Sequence, residues 1–311
     1  MAIASIAEAR LGAVVAGTWI AAATYVHWRG RERLAFMRQL ADHSTLLAPY
    51  NAFIYLFSAV PNRPVLRADE LPELELLRAE WETIRDEALA LVEGGHIRKP
   101  DAHNDLAFNS FYKRDWRRFY VKWYGDALPS ARRLCPRTLA LLERTPSVHA
   151  AMFAVLAPRS RLVRHRDPFA GSLRYHLGLA TPNSDRCHIF VDGQPHAWRD
   201  GEGMLFDETY VHRAENQTDT PRIILFCDVE RPLHTRFARA VNRFAIHRVM
   251  ATTGTANEDG EPIGAANRVF EQVYKFRLAL KRLKKRSRFA YYTVSYALKL
   301  GAVGTFLYVL L

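Results

Sequence analysis

The sequence is short of cysteine, of acid relative to base, and of the residues that mark irregular chains. Cys135, Cys187 and Cys227 are the only cysteines in 311 residues, and no two form a CxxC pair. An odd, scattered set excludes a disulfide framework and a zinc ribbon and points to a reducing compartment. Gly (16) and Pro (15) are too few for a collagen-like or low-complexity chain. No repeat of solenoid length occurs. Asp and Glu number 32 against 44 Lys and Arg, so the net charge is +12. The chain is 49% hydrophobic and 12% aromatic, which excludes disorder and supplies an ample core. A mean hydropathy of -0.18 is too polar for a multi-span transporter, yet it leaves room for one or two membrane anchors.

Where the positive charge sits matters more than its size. From Lys275 to Arg288 there are eight Lys or Arg and no acid, and Phe289–Leu311 follows with Lys299 as its one charge. Those 23 residues are long enough for a span, which needs about 20 apolar residues. The basic run is then a cytoplasmic flank under the positive-inside rule. The N-terminus mirrors this: Leu11–Val26 is uncharged, and Trp28, Arg29, Arg31 and Arg33 follow. No cleavage pattern succeeds it, so an uncleaved anchor is expected. Both flanks place residues 29–288 in the cytoplasm. Ser44–Val60 is also uncharged, but Pro49 and Asn51 interrupt it, and it reads as a helix in the interface or packed on the core. A basic run that abuts a hydrophobic end argues for a membrane and against nucleic acid as its partner. Nothing in the sequence specifies an oligomer.

Between the ends the chain divides in two. Residues 61–148 read as helical: Leu71–Val92 has apolar residues at helical spacing before Gly94–Gly95, Arg114–Tyr124 is basic and aromatic, and Leu134–Arg144 is amphipathic. From Ala150 to Glu230 short strands take over. They are Ala151–Leu156, Leu173–Leu179, Cys187–Val191 with a hairpin signal at Asp192–Gly193, Gly203–Phe206 and Arg222–Val229. Short strands between turns suggest a sandwich or jelly roll. After Arg231 helix and basic residues return, around a polar loop at Thr252–Gly264.

The chemistry lies in the β region. His165-Arg166-Asp167 is an HxD; His212 lies 47 residues later and Arg222 ten after that. Two imidazoles and a carboxylate with open positions opposite are the donor set of a non-heme Fe(II) oxygenase. An extended strand would point His165 and Asp167 to one side. Three further coordination sites would take the two donors of a 2-oxo acid and O2, and Arg222 would clamp the far carboxylate of 2-oxoglutarate. Spacing alone is ambiguous. His103-Asn104-Asp105 is another HxD, with His149 46 residues on and Arg159 ten beyond. Context favours the second set, because Arg222 enters the strand RIILFCDV whereas Arg159 sits in the turn APRSR.

The segments HRDPFAGSLRYHLGL, WRDGEGMLFDETYVHRAEN and PRIILFCDVERP resemble the catalytic domain of the aspartyl/asparaginyl β-hydroxylase family over about residues 150–232. Within it the sequence is most similar to the bacterial lipid A 2-hydroxylases, a likeness that extends to YVHWRGRERLAFMRQLADHSTLLAPYNAFIYLFSAVPNRP at residues 25–64. The resemblance implies an α+β chain: a double-stranded β-helix (jelly-roll) core with helical flanks and hydrophobic terminal anchors. The expected divisions are an anchor at 1–28, a helical, partly interfacial region at 29–148, the catalytic domain at 149–232, a basic helical segment at 233–288 and an anchor at 289–311. It implies Fe(II), 2-oxoglutarate and O2, with His165, Asp167 and His212 as iron ligands. Arg222, Arg174 and His176 become 2-oxoglutarate contacts; the last two also share a strand face and can both bind a carboxylate.

The sequence departs from the animal peptide-hydroxylating members. Those have Gly where Asp167 stands, a Ser where Ala154 stands, and helical repeats before the domain. The implied activity is hydroxylation at C2 of a secondary fatty acyl chain of lipid A or its Kdo-bearing precursor, with release of succinate and CO2. A membrane-tethered hydroxylase of protein Asp or Asn is the alternative. A non-enzymatic module is disfavoured by the complete donor set. Arg114, Trp116, Arg117, Arg118, Lys122 and Trp123 are candidates for lipid phosphate and sugar, and equally for a solvated helix face. Arg166 is a further phosphate candidate, while His149, His188 and His196 read as structural or surface residues.

Overall fold

The computed structural model describes residues 2–40, 42–99, 105 and 116–294. A long helix α1 (Ala2–Trp28) leads into short helices α2 (Phe36–Leu40), α3 (His43–Leu46) and α4 (Ala48–Leu56). Then come α5 (Glu75–Ala79), α6 (Trp81–Glu93), α7 (Pro129–Leu134) and α8 (Pro136–Glu143). Helices α9 (Arg236–Arg248) and α10 (Ala265–Arg286) follow the last strand. Local chemistry sets their ends. Proline in the first turn starts α4, α7 and α8, where its missing N–H is no loss. Thr235 caps α9 by accepting from Ala238 N at 3.1 Å. Gly95 (φ 69°) takes the left-handed turn after α6.

Among the described residues ten strands run between α4 and α9: β1 (Val65–Leu66), β2 (Trp116–Trp123), β3 (Val148–Leu156), β4 (Ser160–His165), β5 (Ser172–Ala180), β6 (Cys187–Val191), β7 (Gln194–Ala197), β8 (Gly203–Phe206), β9 (His212–Asn216) and β10 (Arg222–Glu230). They form two antiparallel sheets, ordered β1-β8-β5-β10-β3-β2 and β4-β9-β6-β7. The central strands β3, β5 and β10 are buried almost throughout and read as near-continuous apolar runs. Strand β6 shows one face only and alternates. The β6–β7 hairpin turns at Asp192 (φ 51°) and Gly193 (φ 84°), as the Asp-Gly pair predicts. One main core spans both sheets and α6 and α8; a smaller cluster joins Ala22 and Val26 of α1 to Ile54 and Tyr55 of α4 and Ala238 of α9.

Two expectations need correction. The stretch around Arg117 is no helix: Trp116–Trp123 is β2, paired to β3 with Phe119 opposite Phe153. Aromatic and β-branched residues on a half-buried pleat outweigh helical spacing here. The sheets therefore also draw on β1 and β2, which lie before residue 149. Arg118 is buried in an ion pair with Asp105 at 2.7 Å and Trp123 Nε1 bonds Thr253 Oγ1 at 2.9 Å, so neither faces solvent; Arg117 does, and Arg114 lies outside the described residues. The second correction concerns the anchors. Among the described residues no helix is long and apolar enough to cross a membrane. In α1, Glu8 and Arg10 precede the apolar stretch, which leaves Leu11–Val26 short of a span. The C-terminal anchor expected at 289–311 lies, from residue 295 on, outside the described residues.

Candidate active site

A narrow cavity lies between the sheets. Leu162, Ile189 and Ala214 line it from one side, and Ala154, Ile224 and Phe226 from the other. His165, Asp167 and His212 stand together on it, with their ligand-capable atoms all within 4.8 Å of one another. His165 and His212 are cross-strand partners at adjoining ends of β4 and β9, and their ring centroids are 4.2 Å apart. Asp167 lies past the end of β4. The register slips between Leu162 and His165, and Asp167 is brought in by the loop, where its backbone N donates to Glu208 O at 2.9 Å. The expected strand alternation thus gives way to a turn, with the same three residues converging.

The arrangement suits a divalent metal. His165 Nδ1 lies 2.7 Å from Val163 O, and His212 Nδ1 lies 2.9 Å from Tyr210 O. Each backbone carbonyl holds the proton on Nδ1 and assigns Nε2 as the ligating nitrogen. His212 Nε2 is 3.9 Å from Asp167 Oδ2, an open wedge for an ion. Burial first, then the neighbouring His165, brings the His212 pKa down to about 3, so the imidazole is neutral as ligation requires. Burial opposes ionisation of Asp167, but Arg174 and the two imidazoles outweigh it and hold the carboxyl below its usual range.

The other end of the cavity is cationic. Arg222 is 2% exposed and lies on the Trp198 ring, 4.4 Å from its centroid. Its Nε has no hydrogen-bond partner, and among the described residues no carboxylate pairs with the guanidinium. Burial brings its pKa down to about 10, still charged at neutral pH. His176 faces the same space. Trp198 Nε1 donates to its Nδ1 at 3.4 Å, which leaves Nε2 as a donor without an acceptor. Burial, then Arg174 and Arg222, keep this imidazole neutral. A buried cation and an orphaned N–H pointing at one cavity are what a carboxylate of a small diacid would satisfy.

Arg174 has other company. It lines the cavity, but Nε bonds Asp228 Oδ1 at 2.6 Å, Nη2 lies 3.1 Å from Asp167 Oδ2, and Glu208 is a third carboxylate contact. Tyr124 Oη donates to Asp228 at 2.8 Å and Ser172 Oγ to Glu208 at 2.9 Å. Sequence reading missed this buried acid ring, because its members meet only across strands. It also missed Trp198 as the plate beneath Arg222 and Trp116 as cavity lining, though Trp198 stands in the quoted W-x-x-G.

The other HxD set is not brought together. Asp105 pairs with Arg118, His149 Nε2 lies 2.9 Å from Glu230 Oε2, and Arg159 holds Asp219 at 2.8 Å on the surface; His103 lies outside the described residues. Arg166 turns away from the cavity and donates to Val26 O at 2.8 Å, which removes it as a phosphate contact. Ala154 lines the cavity without a hydroxyl.

Residues 78–232 match the family model described as aspartyl/asparaginyl beta-hydroxylase. The chain is 38% identical over 128 residues to an ornithine lipid ester-linked acyl 2-hydroxylase of Rhizobium tropici, a match that covers 41% of this chain and 45% of that protein. It is 28% identical over 189 residues to human aspartate beta-hydroxylase domain-containing protein 2, covering 58% of this chain and 50% of that one. It is 27% identical over 162 residues to human aspartyl/asparaginyl beta-hydroxylase, covering 50% of this chain and 21% of the relative. The chain thus spans half or less of the length of these relatives. Among solved structures, a Pseudomonas putida prolyl-4-hydroxylase superposes with a TM-score of 0.37 at 17% identity, over 55% of this chain and 94% of that one.

Proposed function

We propose, from the premise that residues 78–232 belong to the aspartyl/asparaginyl β-hydroxylase family, that this protein is an Fe(II)- and 2-oxoglutarate-dependent dioxygenase of lipid acyl chains. Its substrate is lipid A or its Kdo-bearing precursor, hydroxylated at C2 of a secondary fatty acyl chain. One observation carries the reading: a complete His165–Asp167–His212 donor set shares a cavity with a buried guanidinium, Arg222, that no carboxylate among the described residues pairs with.

The residues divide the work. His165, Asp167 and His212 would hold the metal, and three protein donors leave coordination positions for cosubstrates. Arg222 and His176 bind the far carboxylate of 2-oxoglutarate, and Trp198 keeps the guanidinium flat against it. Arg174, read from the sequence as a cosubstrate contact, anchors Asp167 and borders the same space. Leu162, Ile189, Ile224 and Phe226 keep water out. When bound, iron would activate O2 as the oxidant, one oxygen atom going to the acyl carbon and the other to 2-oxoglutarate, which leaves as succinate and CO2.

Acyl hydroxylation is supported by the lipid 2-hydroxylase relative, and lipid A by the resemblance over residues 25–64. A membrane position is supported by α1. From Arg10 to Ala21 every residue is exposed, and Leu11–Ala21 is uncharged, so this apolar stretch of helix stands open to its surroundings. The basic α10 suits an anionic leaflet, and the reading places the domain on the cytoplasmic side of a bacterial inner membrane. The test is mass spectrometry of lipids from a host that lacks such an enzyme, expressing the wild type or His165→Ala. Gain of one oxygen on a secondary acyl chain of lipid A, absent in the variant, is the expected result. The same gain on an ornithine lipid instead would move the substrate, and gain on neither would move the reading to the protein β-hydroxylase named by the human relatives.

A further inference from the structure

The two metal-bearing strands are joined on their outer face by a residue from the other end of the sequence. His165 and His212 are directly opposite across the β4–β9 ladder. Next along it, where the register slips, lie two basic residues, Arg164 and Arg213. Two cations there would repel and spread the strands. Glu32 sits between them: Oε2 is 3.1 Å from Arg164 Nε, and Oε1 is 2.9 Å from Arg213 Nη1.

Glu32 is no loose surface acid. Its own N–H and that of Arg31 both donate to Asp192 Oδ1, at 2.8 and 2.7 Å, in the β6–β7 turn. Gly30 (φ 85°) permits that approach, since a Cβ there would come within 2.6 Å of Asp192 Oδ1. Arg29 bonds Asp207 Oδ2 at 2.6 Å and Thr209 Oγ1 at 2.5 Å, in the loop that leads into His212. Arg164 Nη2 donates to Arg33 O at 3.3 Å, and Arg38 donates back to Arg164 O at 3.0 Å. The backbone of residues 29–33 is therefore fixed before the Glu32 carboxylate reaches out.

We propose that Glu32 is a positioning residue of the metal site, which sets the separation of His165 and His212 by clamping Arg164 to Arg213. The turn after α1 is then a working part of a site whose family match begins only at residue 78. Arg164 is 47% exposed and Arg213 27%, so pairs of this kind add little to global stability. Their effect falls on geometry, as with partners that orient metal ligands from behind. This inference rests on the metal reading above.

The test is titration of the purified full chain with Co(II), reading the dissociation constant and the visible d–d bands. Glu32→Gln is expected to weaken Co(II) about tenfold and to shift the bands, with little change in melting temperature. Glu32→Gln/Arg213→Gln should bind no more weakly than Glu32→Gln alone. Arg159→Ala breaks the ion pair with Asp219 at the far end of the same two strands and should bind as wild type. Should Glu32→Gln fail to fold, Glu32→Asp keeps the charge, is one methylene short of both arginines, and carries the same expectation. Wild-type affinity and spectrum in the folded Glu32 variant would overturn the proposal. Absence of Co(II) binding by the wild type would instead overturn the metal reading, and this proposal with it.

Discussion

A guanidinium removed from water with no acid beside it is unfavourable unless a ligand completes it, and Arg222 is in that position. A hydrogen-bonded, charge-assisted pair contributes about 1.5–3 kcal/mol, or roughly 10- to 100-fold in affinity. Lysine keeps the charge but loses the planar fork and the stack on Trp198. Arg222→Lys is therefore expected to raise the KM for 2-oxoglutarate at least about tenfold while kcat falls less, read as succinate release against 2-oxoglutarate concentration. An unchanged KM would place the cosubstrate elsewhere. Arg174 belongs to a different class although it lines the same cavity. Its contacts go to Asp167, Asp228 and Glu208, so its charge is already spent on acids. The resemblance gave both arginines the same role; only the partners separate the one that no described carboxylate pairs with from the one that has three.

Elements that carry the candidate metal ligands are the ones whose sequences least resemble strands. Strands β6, β8 and β10 are legible as CHIFV, GMLF and RIILFCDVE, apolar runs between turns. Strands β4 (SRLVRH) and β9 (HRAEN) are charged, because one face holds imidazoles and the other the arginines that Glu32 joins. Hydrophobic periodicity cannot report a strand whose inner face carries one apolar residue, Leu162 or Ala214, beside an imidazole and whose outer face is charged. The HxD and its distant His were legible by spacing, whereas Glu208, Asp228 and Glu32 were not, since an acid's partner across strands leaves no local pattern. Asp207 shows what such an acid does for the elements. Fully buried, it joins Arg29, after α1, to Arg231, after β10, at 2.6 and 2.7 Å. Burial would raise its pKa, but Arg231 and Arg29 outweigh that and hold it well below the carboxylate range. A depressed carboxyl contributes stability that is full above the unfolded value near 3.9 and is lost as pH falls toward the folded one. Asp207→Asn leaves two buried cations unpaired and is expected to cost about 3–5 kcal/mol at pH 7. Urea midpoints should fall between about pH 4 and pH 2 in the wild type and lose that component in the variant. Parallel pH profiles would assign acid sensitivity to another group.

At the scale of the whole molecule, charge and apolar surface are sorted by element. Helix α1 exposes Leu11, Val14 and Ile20 at 66%, 65% and 60%, while α10 is mostly basic at its C-terminal end. On the proposed membrane reading the first contributes burial in lipid and the second attraction to anionic head groups, and salt tells them apart. The two also differ in what they are tied to. Val26 of α1 accepts from Arg166, which lies between His165 and Asp167 in sequence, and residues 29–33 clasp both β4 and β9. A helix inserted in lipid would hold the cavity close to the surface where acyl chains lie. A charge at depth in a bilayer costs about 2.5–3.5 kcal/mol by insertion scales. Val14→Glu with Ile20→Glu is therefore expected to reduce cosedimentation with lipid vesicles at least tenfold, and the residual binding should require anionic lipid and vanish at high salt. Co(II) affinity should stay at the wild-type value, because both substitutions lie on the uncovered part of α1, before the turn that clasps β4 and β9. Binding that survives both substitutions at high salt would mean that α1 is not the attachment, and would leave residues 289–311 as the segment to test.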